Sequence, residues 1–206
     1  MRVIVVANPK GGVGKSTLAT NVAGWLAHQG QHVMLGDLDR QHSSRQWLGI
    51  RPATVPVIQG WDLSDGDKLK PPKGVSHVVI DTPAGLRGKR LAAVLALDPV
   101  VLVPLQASLF DMQATHAFID ELAQAGQGHL KRTGLVGMRV KDHTIAADRL
   151  TEFVSGLPVP LVTQLRDTQN YIHLAAHGLT LWDVAPGRVE RDRAQWAPLT
   201  RWICDA

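Results

Sequence analysis

A glycine-rich loop near the start of the chain constrains the fold more than any other feature. The loop reads Asn-Pro-Lys-Gly-Gly-Val-Gly-Lys-Ser-Thr over residues 8–17 and directly follows an apolar run at residues 3–7. A loop that cradles phosphate groups has the pattern Gly, four residues, Gly-Lys-Ser/Thr, between a buried strand and a helix. The order of elements around this loop therefore predicts a strand, a phosphate-binding turn and a helix.

The end of that pattern is present in this chain and its beginning is not. Gly14, Lys15 and Ser16 match the final Gly-Lys-Ser, whereas Pro9 occupies the first glycine position and Lys10 follows it. Glycines allow a concave array of N–H groups, and a helix beginning near Lys15 adds the positive end of its dipole. We predict that Lys15 reaches the β- and γ-phosphates of a nucleotide and that the Ser16 hydroxyl binds Mg²⁺.

The rest of the chain alternates between strand-like and helix-like segments. The predicted strands cover residues 3–7, 32–38, 75–80, 100–105, 134–140 and 159–162. The predicted helices cover residues 15–28, 89–97, 109–125, 145–155 and 170–177, with a capping box from Ser108 to Asp111. Residues 52–74 are predicted to be irregular. The alternation predicts one domain over residues 1–206, an α/β three-layer sandwich with a mainly parallel sheet.

Acidic residues follow two of these strands, at the sheet edge where ligands bind in parallel sheets. Asp81 ends an apolar strand and precedes Thr-Pro-Ala-Gly, so we predict that it holds Mg²⁺ through a water molecule. Asp37 and Asp39 both lie at the end of the second strand. We expect Asp39, which lies further into the loop, to face the γ-phosphate and the reacting water.

Composition narrows the classes of protein that remain. The formal net charge of +4 fits an ordinary surface or a surface that binds nucleic acid. The single cysteine, Cys204, cannot form an internal disulfide or hold an iron–sulfur cluster alone. No apolar run is long enough for a secretory signal or a membrane span, so we expect a cytoplasmic location.

The ordered set of motifs resembles the ParA/MinD family of deviant Walker-motif ATPases over nearly the whole chain. The residues that carry the resemblance are 10–17, Asp-Leu-Asp at 37–39 with Gln41, Asp-Thr-Pro-Ala-Gly at 81–85, Pro-Leu-Gln-Ala-Ser at 104–108 with Asp111, and Arg166 ahead of a helix ending at Gly178. The last two matches are to small ParA members. The resemblance implies a P-loop NTPase fold, hydrolysis of ATP to ADP and phosphate, and ATP with Mg²⁺ as cofactors.

The resemblance also explains the unusual start of the loop. In this family the first glycine is not used, and the extra lysine reaches across a nucleotide-sandwich dimer to the partner's phosphates. A second cation that arrives only on dimerisation couples ATP to assembly. The resemblance thus implies catalytic roles for Lys10, Lys15 and Asp39, and a nucleotide site made of Lys10, Gly11, Gly12, Val13, Gly14, Lys15, Ser16 and Thr17.

The function implied by the resemblance is that of a ParA-type positioning ATPase. An ATP-dependent homodimer is expected to bind DNA non-specifically on the nucleoid, and a ParB-like or cargo-bound adaptor to stimulate hydrolysis and release. The cargo is a plasmid, a chromosome or a protein assembly. Arg166 matches a basic position that the family uses for DNA. Phosphate contacts are also expected from Arg188, Arg191, Arg193 and Arg201.

Two positions depart from the family pattern. Arg40 replaces the usual proline after the second aspartate of the pair, which leaves the rate of hydrolysis open. Members that bind DNA often carry Asp-Ala-Arg-Thr after the fifth strand, whereas residues 141–144 read Lys-Asp-His-Thr. The basic residue there is either His143 or the displaced Lys141.

Two other function classes compete with the positioning ATPase. A membrane-bound MinD type requires an amphipathic C-terminal helix. The apolar residues with helical spacing there are Trp196, Leu199, Trp202 and Ile203, but Pro198 is predicted to interrupt the segment, and such a stripe more often packs on its own core.

A metabolic synthase is disfavoured because no added substrate domain is visible. The related nitrogenase iron protein is excluded by the cysteine count.

Overall fold

A parallel sheet forms the centre of the computed structural model, which describes residues 1–63, 69–70 and 73–206. Within those residues the strands are β1 (Arg2–Val6), β2 (Val33–Asp37), β3 (Gln59–Trp61), β4 (His77–Asp81), β5 (Val100–Leu105), β6 (Thr133–Val140) and β7 (Leu161–Arg166). Their order is β3-β2-β4-β1-β5-β6-β7, and every neighbouring pair is parallel. The predicted irregular segment at 52–74 lies partly outside the described residues.

Helices cover both faces of the sheet. They are α1 (Lys15–His28), α2 (Ser43–Gly49), α3 (Gly88–Leu95), α4 (Leu109–Ala125), α5 (Gln127–Lys131), α6 (Ile145–Ser155), α7 (Gln169–Ala175) and α8 (Glu190–Asp205), with a short 3-10 helix at Pro186–Arg188. One apolar core packs α1, α2, α7 and α8 against the sheet, and a second core packs α3, α4, α5 and α6 on the other face. The predicted α/β three-layer sandwich is confirmed.

The register of the sheet brings the carboxyl ends of the central strands to one edge. Asp37 at the end of β2 is directly opposite Asp81 at the end of β4, and Asp81 is opposite Val6 of β1. The central strands are continuous apolar runs because helices bury them on both faces. The loop after β1 and both acidic strand ends therefore meet, as the sequence predicts.

Several short elements carry no recognisable signal in the sequence. Helices α2 and α5 and strand β3 are absent from the predicted set, and β3 lies inside the segment predicted to be irregular. The sequence predicts the last strand at 159–162, whereas β7 covers Leu161–Arg166. β7 is at the edge of the sheet and most of its residues are only half-buried, so its side chains do not form the apolar run that marks a central strand.

The prediction that Pro198 interrupts the C-terminal segment is wrong. α8 runs through Pro198, which is exposed on the solvent side of the helix. Trp196, Leu199 and Ile203 are buried in the core that packs on the sheet, so this apolar stripe contacts the protein itself. Among the described residues, no helix combines the length and apolar character needed to cross a membrane.

The carboxyl end of α2 is joined to the loop that follows α7. Arg51 donates from Nη1 and Nη2 to the buried carboxylate of Asp183, at 2.8 and 2.9 Å. The same carboxylate accepts hydrogen bonds from the backbone N–H and hydroxyl of Thr180, each at 2.7 Å, and lies 2.8 Å from His28 Nε2. This polar cluster fixes α2 relative to α1 and the 178–183 loop.

The close packing of α1 on that loop predicts an unusual effect of alanine. A Cβ on Gly24 would lie 2.5 Å from both Cγ2 and Oγ1 of Thr180. Thr180 is fully buried and its hydroxyl is bonded to Asp183, so it cannot rotate away freely. Although alanine is favoured over glycine in helices, we expect Gly24→Ala to lower the free energy of unfolding by about 1–3 kcal/mol.

Urea denaturation measures this effect, with Gly128→Ala as the matched control. Gly128 lies in α5, and no described atom beyond its own helix and chain neighbours comes within 4 Å of the added Cβ. The control should leave stability unchanged or slightly raise it. Equal effects of the two substitutions would contradict the packing argument.

Candidate functional site

The loop between β1 and α1 has a backbone that glycine adopts without strain. Gly12 and Gly14 have positive φ angles of +77° and +98°. Gly14 also lies against Met138 of β6, whose Cε would be 2.8 Å from a Cβ on Gly14. The glycines therefore permit both the tight turn into α1 and its close approach to β6.

Asn8 anchors the first part of this loop, although sequence reasoning did not single it out. Its side chain is fully buried, and Nδ2 donates to Pro104 O at 2.8 Å and Thr115 Oγ1 at 3.0 Å. Its Oδ1 accepts a hydrogen bond from the backbone N–H of Lys10 at 2.8 Å. One amide side chain thus joins the loop to the end of β5 and to α4.

The rest of the loop is fixed through its carbonyl groups. The three pairs are Gly85 N with Pro9 O at 2.9 Å, Lys15 Nζ with Lys10 O at 2.8 Å, and Gln106 Nε2 with Gly12 O at 3.0 Å. Within the described part of the chain, the backbone N–H groups of residues 11–14 make no hydrogen bond. Those N–H groups are therefore available to an anion.

Lys15 is buried at the start of α1, near both predicted carboxylates. Burial lowers its pKa, and the nearby charges of Asp81 and Asp39 partly oppose that shift. Its Nζ lies 2.8 Å from Lys10 O, so the ammonium group closes the loop from inside. A cation in this position can transfer its hydrogen bond from the carbonyl group to a phosphate oxygen.

The environment of Asp81 displaces the pKa of its carboxyl group from the ordinary value. It is almost completely buried, and burial raises its pKa to about 6, although hydrogen bonding to Ser16 and Ser44 opposes the shift. Ser44 Oγ donates to its Oδ2 at 2.6 Å. Ser16 is near the carboxyl group, but among the described residues no hydrogen bond of ordinary geometry reaches Oδ1. A buried oxygen without a partner is costly unless a ligand supplies one.

Ser16 and Asp81 together fit a magnesium site of the open kind. Mg²⁺ in nucleotide sites is bound by one or two protein oxygens, by waters and by phosphate oxygens. No three His, Cys, Asp or Glu side chains of the described residues cluster in a way that could hold a metal alone. The unpaired Asp81 Oδ1 is the group that a metal ion or its bound water can satisfy.

The two aspartates after β2 differ in their surroundings. Asp37 is buried, and its two oxygens accept the backbone N–H groups of Asp39 and Arg45 at 2.9 and 3.1 Å. Asp39 is only half-buried, and its Oδ1 accepts from the N–H of Gln41 at 3.0 Å. Asp37 therefore shapes the loop and the start of α2, which leaves Asp39 as the better candidate to face a reacting water.

Lys10 differs from Lys15 although both lie in the same loop. Lys10 is exposed, while Lys15 is buried and bonded within the loop. The backbone N–H and C=O of Lys10 are both engaged, by Asn8 and Lys15 respectively. Its backbone is thus fixed, and its side chain is exposed to solvent.

A cavity lies beside the phosphate loop, and nothing in the sequence pattern predicts it. Its volume is about 290 Å³, and it lies between the loop, the end of β6 and the β7–α7 segment. The residues that define its walls include Gly14, Thr17, Met138, Arg166, Thr168 and Tyr171. It is adjacent to the phosphate-binding turn and combines apolar with polar groups, as a site for a nucleotide ring requires.

The arginines expected to contact DNA are in different environments. Arg188 and Arg201 are exposed, whereas Arg193 lies over the ring of Trp182, with 5.1 Å between Cζ and the ring centroid. The other two form ion pairs: Arg166 with the buried Asp192, and Arg191 with the exposed Asp142 at 2.8 Å. Lys141 and His143, the alternative basic residues after β6, are both exposed.

Several known proteins are similar to this chain in sequence. Residues 4–181 match a family model described as the CobQ/CobB/MinD/ParA nucleotide binding domain. The chain is 31% identical over 172 residues to the chromosome-partitioning ATPase Soj of Thermus thermophilus, covering 68% of this chain and 69% of the relative. It is 28% identical over 198 residues to the maintenance of carboxysome distribution protein A of Halothiobacillus neapolitanus, covering 92% and 91%.

Solved structures show the same fold at lower sequence identity. The cell division protein MinD of Aquifex aeolicus is matched with a TM-score of 0.76 and 18% identity, over 100% of this chain and 98% of that one. A complex of a Cyanothece McdA variant with ATP is matched with a TM-score of 0.70 and 18% identity, over 97% and 96%. A plasmid partition protein of Borrelia burgdorferi bound to AMPPNP gives 0.72 and 15%, over 97% and 98%.

The buried Asp81 carboxyl predicts a pH-dependent loss of stability. Because its pKa is raised from 3.8 to about 6, the folded chain binds this proton more tightly than the unfolded chain. The free energy of unfolding from this group therefore falls as the pH rises from about 4 to 6. Asp81→Asn removes the charge and can still accept a hydrogen bond from Ser44. We expect the variant to be more stable than wild type by about 2 kcal/mol at pH 7 and equally stable near pH 4.

Urea denaturation of the nucleotide-free protein at pH 4, 5, 6 and 7 measures this difference. Asp142→Asn, which alters an exposed carboxylate, is the control and should show no comparable pH dependence. A stability difference that stays constant over this pH range would contradict the assignment.

Proposed function

Since the chain belongs to the family of CobQ/CobB/MinD/ParA nucleotide-binding domains and is an ATPase of the ParA/MinD type, we propose that it is a ParA-type positioning ATPase. ATP joins two copies into a sandwich dimer, and the dimer binds DNA without sequence preference. An adaptor protein on the cargo stimulates hydrolysis, and the protein leaves the DNA. The protein is then cytoplasmic, and associated with the nucleoid while ATP is bound.

The contrast between the two loop lysines is the observation that carries the proposal. Lys15 is buried and bonded within its own loop, whereas Lys10 is exposed on the same edge of the sheet. Lys15 already supplies a cation to the phosphates that its own loop binds. The exposed Lys10 is therefore able to reach beyond its own chain. We infer that Lys10 reaches the phosphates of the partner copy, so that each site is complete only in the dimer.

The remaining residues of the edge have complementary roles in hydrolysis. The N–H groups of the loop and the Lys15 ammonium bind the phosphate chain and offset its charge. Ser16 would hold Mg²⁺ through its hydroxyl and Asp81 through a water molecule, and the ion would offset charge on the phosphate oxygens. Asp39 orients the attacking water. The cavity beside Gly14 and Thr17 receives the adenine ring.

DNA binding is proposed on electrostatic grounds. The net charge of +4 favours association with phosphates, and a dimer doubles the basic surface. Arg188 and Arg201 are exposed and suited to such contacts, and Arg193 keeps its charge over the ring of Trp182. Arg191 is also exposed, but it must exchange its ion pair with Asp142 for a phosphate. Arg166 contributes less, because Asp192 binds its guanidinium. These contacts position the protein on DNA and carry no sequence information.

The names of the relatives indicate classes of cargo and do not identify one cargo. Their names refer to partition of chromosomes, partition of plasmids and distribution of carboxysomes. We propose that this chain positions a cargo of one of these kinds through an adaptor. Membrane association is not proposed, because the apolar stripe of α8 is buried in the core of the protein.

Asp39→Ala is expected to separate nucleotide binding from hydrolysis. The side chain lies outside the phosphate loop, so ATP affinity and dimerisation should stay near wild-type values. The hydrolysis rate should fall about a hundredfold, as for a group that positions the attacking water. Single-turnover assays and calorimetry measure the two quantities. Loss of ATP binding would instead place Asp39 among the magnesium ligands.

Asp37→Ala is the matched comparison for this variant. This substitution is expected to lower the free energy of unfolding, because two backbone N–H groups lose their acceptor. A selective loss of hydrolysis in Asp37→Ala, with normal stability, would exchange the proposed roles of the two aspartates.

Lys10→Ala tests the proposed dimer. The glycine loop and Lys15 remain, so the variant should bind nucleotide as a monomer with near-normal affinity. It should lose the ATP-induced dimer and tight DNA binding, because the second cation no longer reaches the partner's phosphates. Light scattering and DNA gel shifts with a slowly hydrolysed ATP analogue measure these properties, and wild-type DNA binding should weaken steeply with salt.

Lys15→Ala is the control for this experiment and should lose nucleotide binding itself. A Lys10→Ala protein that dimerises and binds DNA like wild type would make Lys10 an ordinary loop lysine. The positioning function would then lose its main support.

A further inference from the structure

Asp192 is a buried carboxylate to which the proposed hydrolysis assigns no role. It lies in the first turn of α8 and is fully buried. Its Oδ1 accepts a hydrogen bond from Arg166 Nε and its Oδ2 accepts one from Asn170 Nδ2. Burial of a carboxylate is costly unless both oxygens are bonded, so these two partners are held in place.

Both partners of Asp192 belong to one short segment. Arg166 is the last residue of β7, and Asn170 is in the first turn of α7. One carboxylate therefore connects the two ends of the turn at 167–169. The turn has no other support of this kind from a buried charge among the described residues.

Two further residues of α8 bind the same segment. Gln195 Oε1 accepts from the backbone N–H of Arg166 at 2.9 Å, and Trp196 Nε1 donates to the Tyr171 hydroxyl at 2.8 Å. Gln195 and Trp196 follow Asp192 by three and four residues, so all three share one face of the helix. That face of α8 holds the β7–α7 segment at three points.

The segment held by α8 forms one wall of the cavity beside the phosphate loop. Arg166, Thr168 and Tyr171 line this wall, while Gly14 and Thr17 line the side that belongs to the loop and α1. Asp192 does not line the cavity. It can affect a ligand there only through the residues that it holds.

We propose that Asp192 is a positioning residue of the nucleotide site. By binding Arg166 and Asn170 it sets the wall against which the ring of the nucleotide lies, and it makes α8 part of the site. This inference rests on the proposed ATP site. It does not involve the phosphate chain, which is bound by the loop at the opposite side of the cavity.

Titrations with Mg·ATP and with magnesium tripolyphosphate separate the contribution of the ring to affinity from that of the phosphates. Asp192→Asn keeps the volume but places an amide N–H₂ against one of two donors, so one of the two hydrogen bonds is lost. A hydrogen bond to a charged group contributes enough free energy for an effect of about tenfold, so we expect the Kd for Mg·ATP to rise by about that factor. The Kd for magnesium tripolyphosphate, which has no ring, should stay unchanged in the same calorimetric titration.

Asp142→Asn is the matched control, because it makes the same change at an exposed carboxylate that is paired with the neighbouring Arg191. It should leave the affinity for both ligands unchanged. Thermal melting of each variant establishes that it is folded before the titrations are compared.

Asn170→Ala is the second variant, and it decides the matter if Asp192→Asn does not fold. It removes one partner of Asp192 and leaves the Arg166 pair intact. The expected result is a smaller loss of ATP affinity, again without a change for tripolyphosphate. Equal losses for the two ligands, or unchanged ATP affinity in the folded variants, would overturn the positioning role.

The wild-type titration distinguishes failure of this inference from failure of the proposed function. If wild type binds ATP and Lys15→Ala does not, the phosphate site stands, and only the variants above judge Asp192. If wild type binds neither ATP nor tripolyphosphate, the proposed function is overturned, and this inference with it.

Discussion

A loop that binds an anion through its N–H groups cannot use those groups to fold itself. In this chain the loop is instead fixed by its carbonyl groups and by one amide side chain. Gly85, Lys15 and Gln106 each donate to a loop carbonyl, and Asn8 joins the loop to β5 and α4. The N–H groups of residues 11–14 remain available to a ligand. The carboxylates, the cavity and the exposed Lys10 are all arranged around this one loop.

The parts of the fold that can be predicted from the sequence carry local signals. The predicted helices at 15–28, 109–125 and 145–155 have the observed bounds, and Ser108 caps α4 as the capping box indicates. Short elements have weaker signals. α2 has seven residues and β3 has three, and α2 depends on the burial of Trp47 and on the bonds of Arg51. Such stabilisation comes from distant contacts and is not encoded in a short stretch of sequence.

The residues of the candidate site likewise fall into two groups: those that a local motif identifies and those that remote contacts define. The residues of the phosphate loop, Asp39 and Asp81 are identifiable because their motifs are contiguous and follow strand ends. Asn8 and Asp192 are not, because their partners are remote: those of Asn8 lie 96 and 107 residues away, and those of Asp192 lie 22 and 26 residues away. Pro198 misleads a prediction from sequence, because α8 continues through it while Trp196, Leu199 and Ile203 of the same helix are buried in the core.

α2 is hydrogen-bonded near both of its ends, and this has a mechanical consequence. At its start Ser44 donates to Asp81, and just beyond its end Arg51 binds Asp183. The helix is thus fixed to the sheet near its start and to the 178–183 loop just beyond its end. Residues 38–42 join the end of β2 to this helix, and among them His42 has a φ of 52°, which is uncommon for a side chain with a Cβ. Because one carboxylate, that of Asp37, bonds the N–H groups of both Asp39 and Arg45, a displacement at Asp39 would be passed to the first turn of the helix.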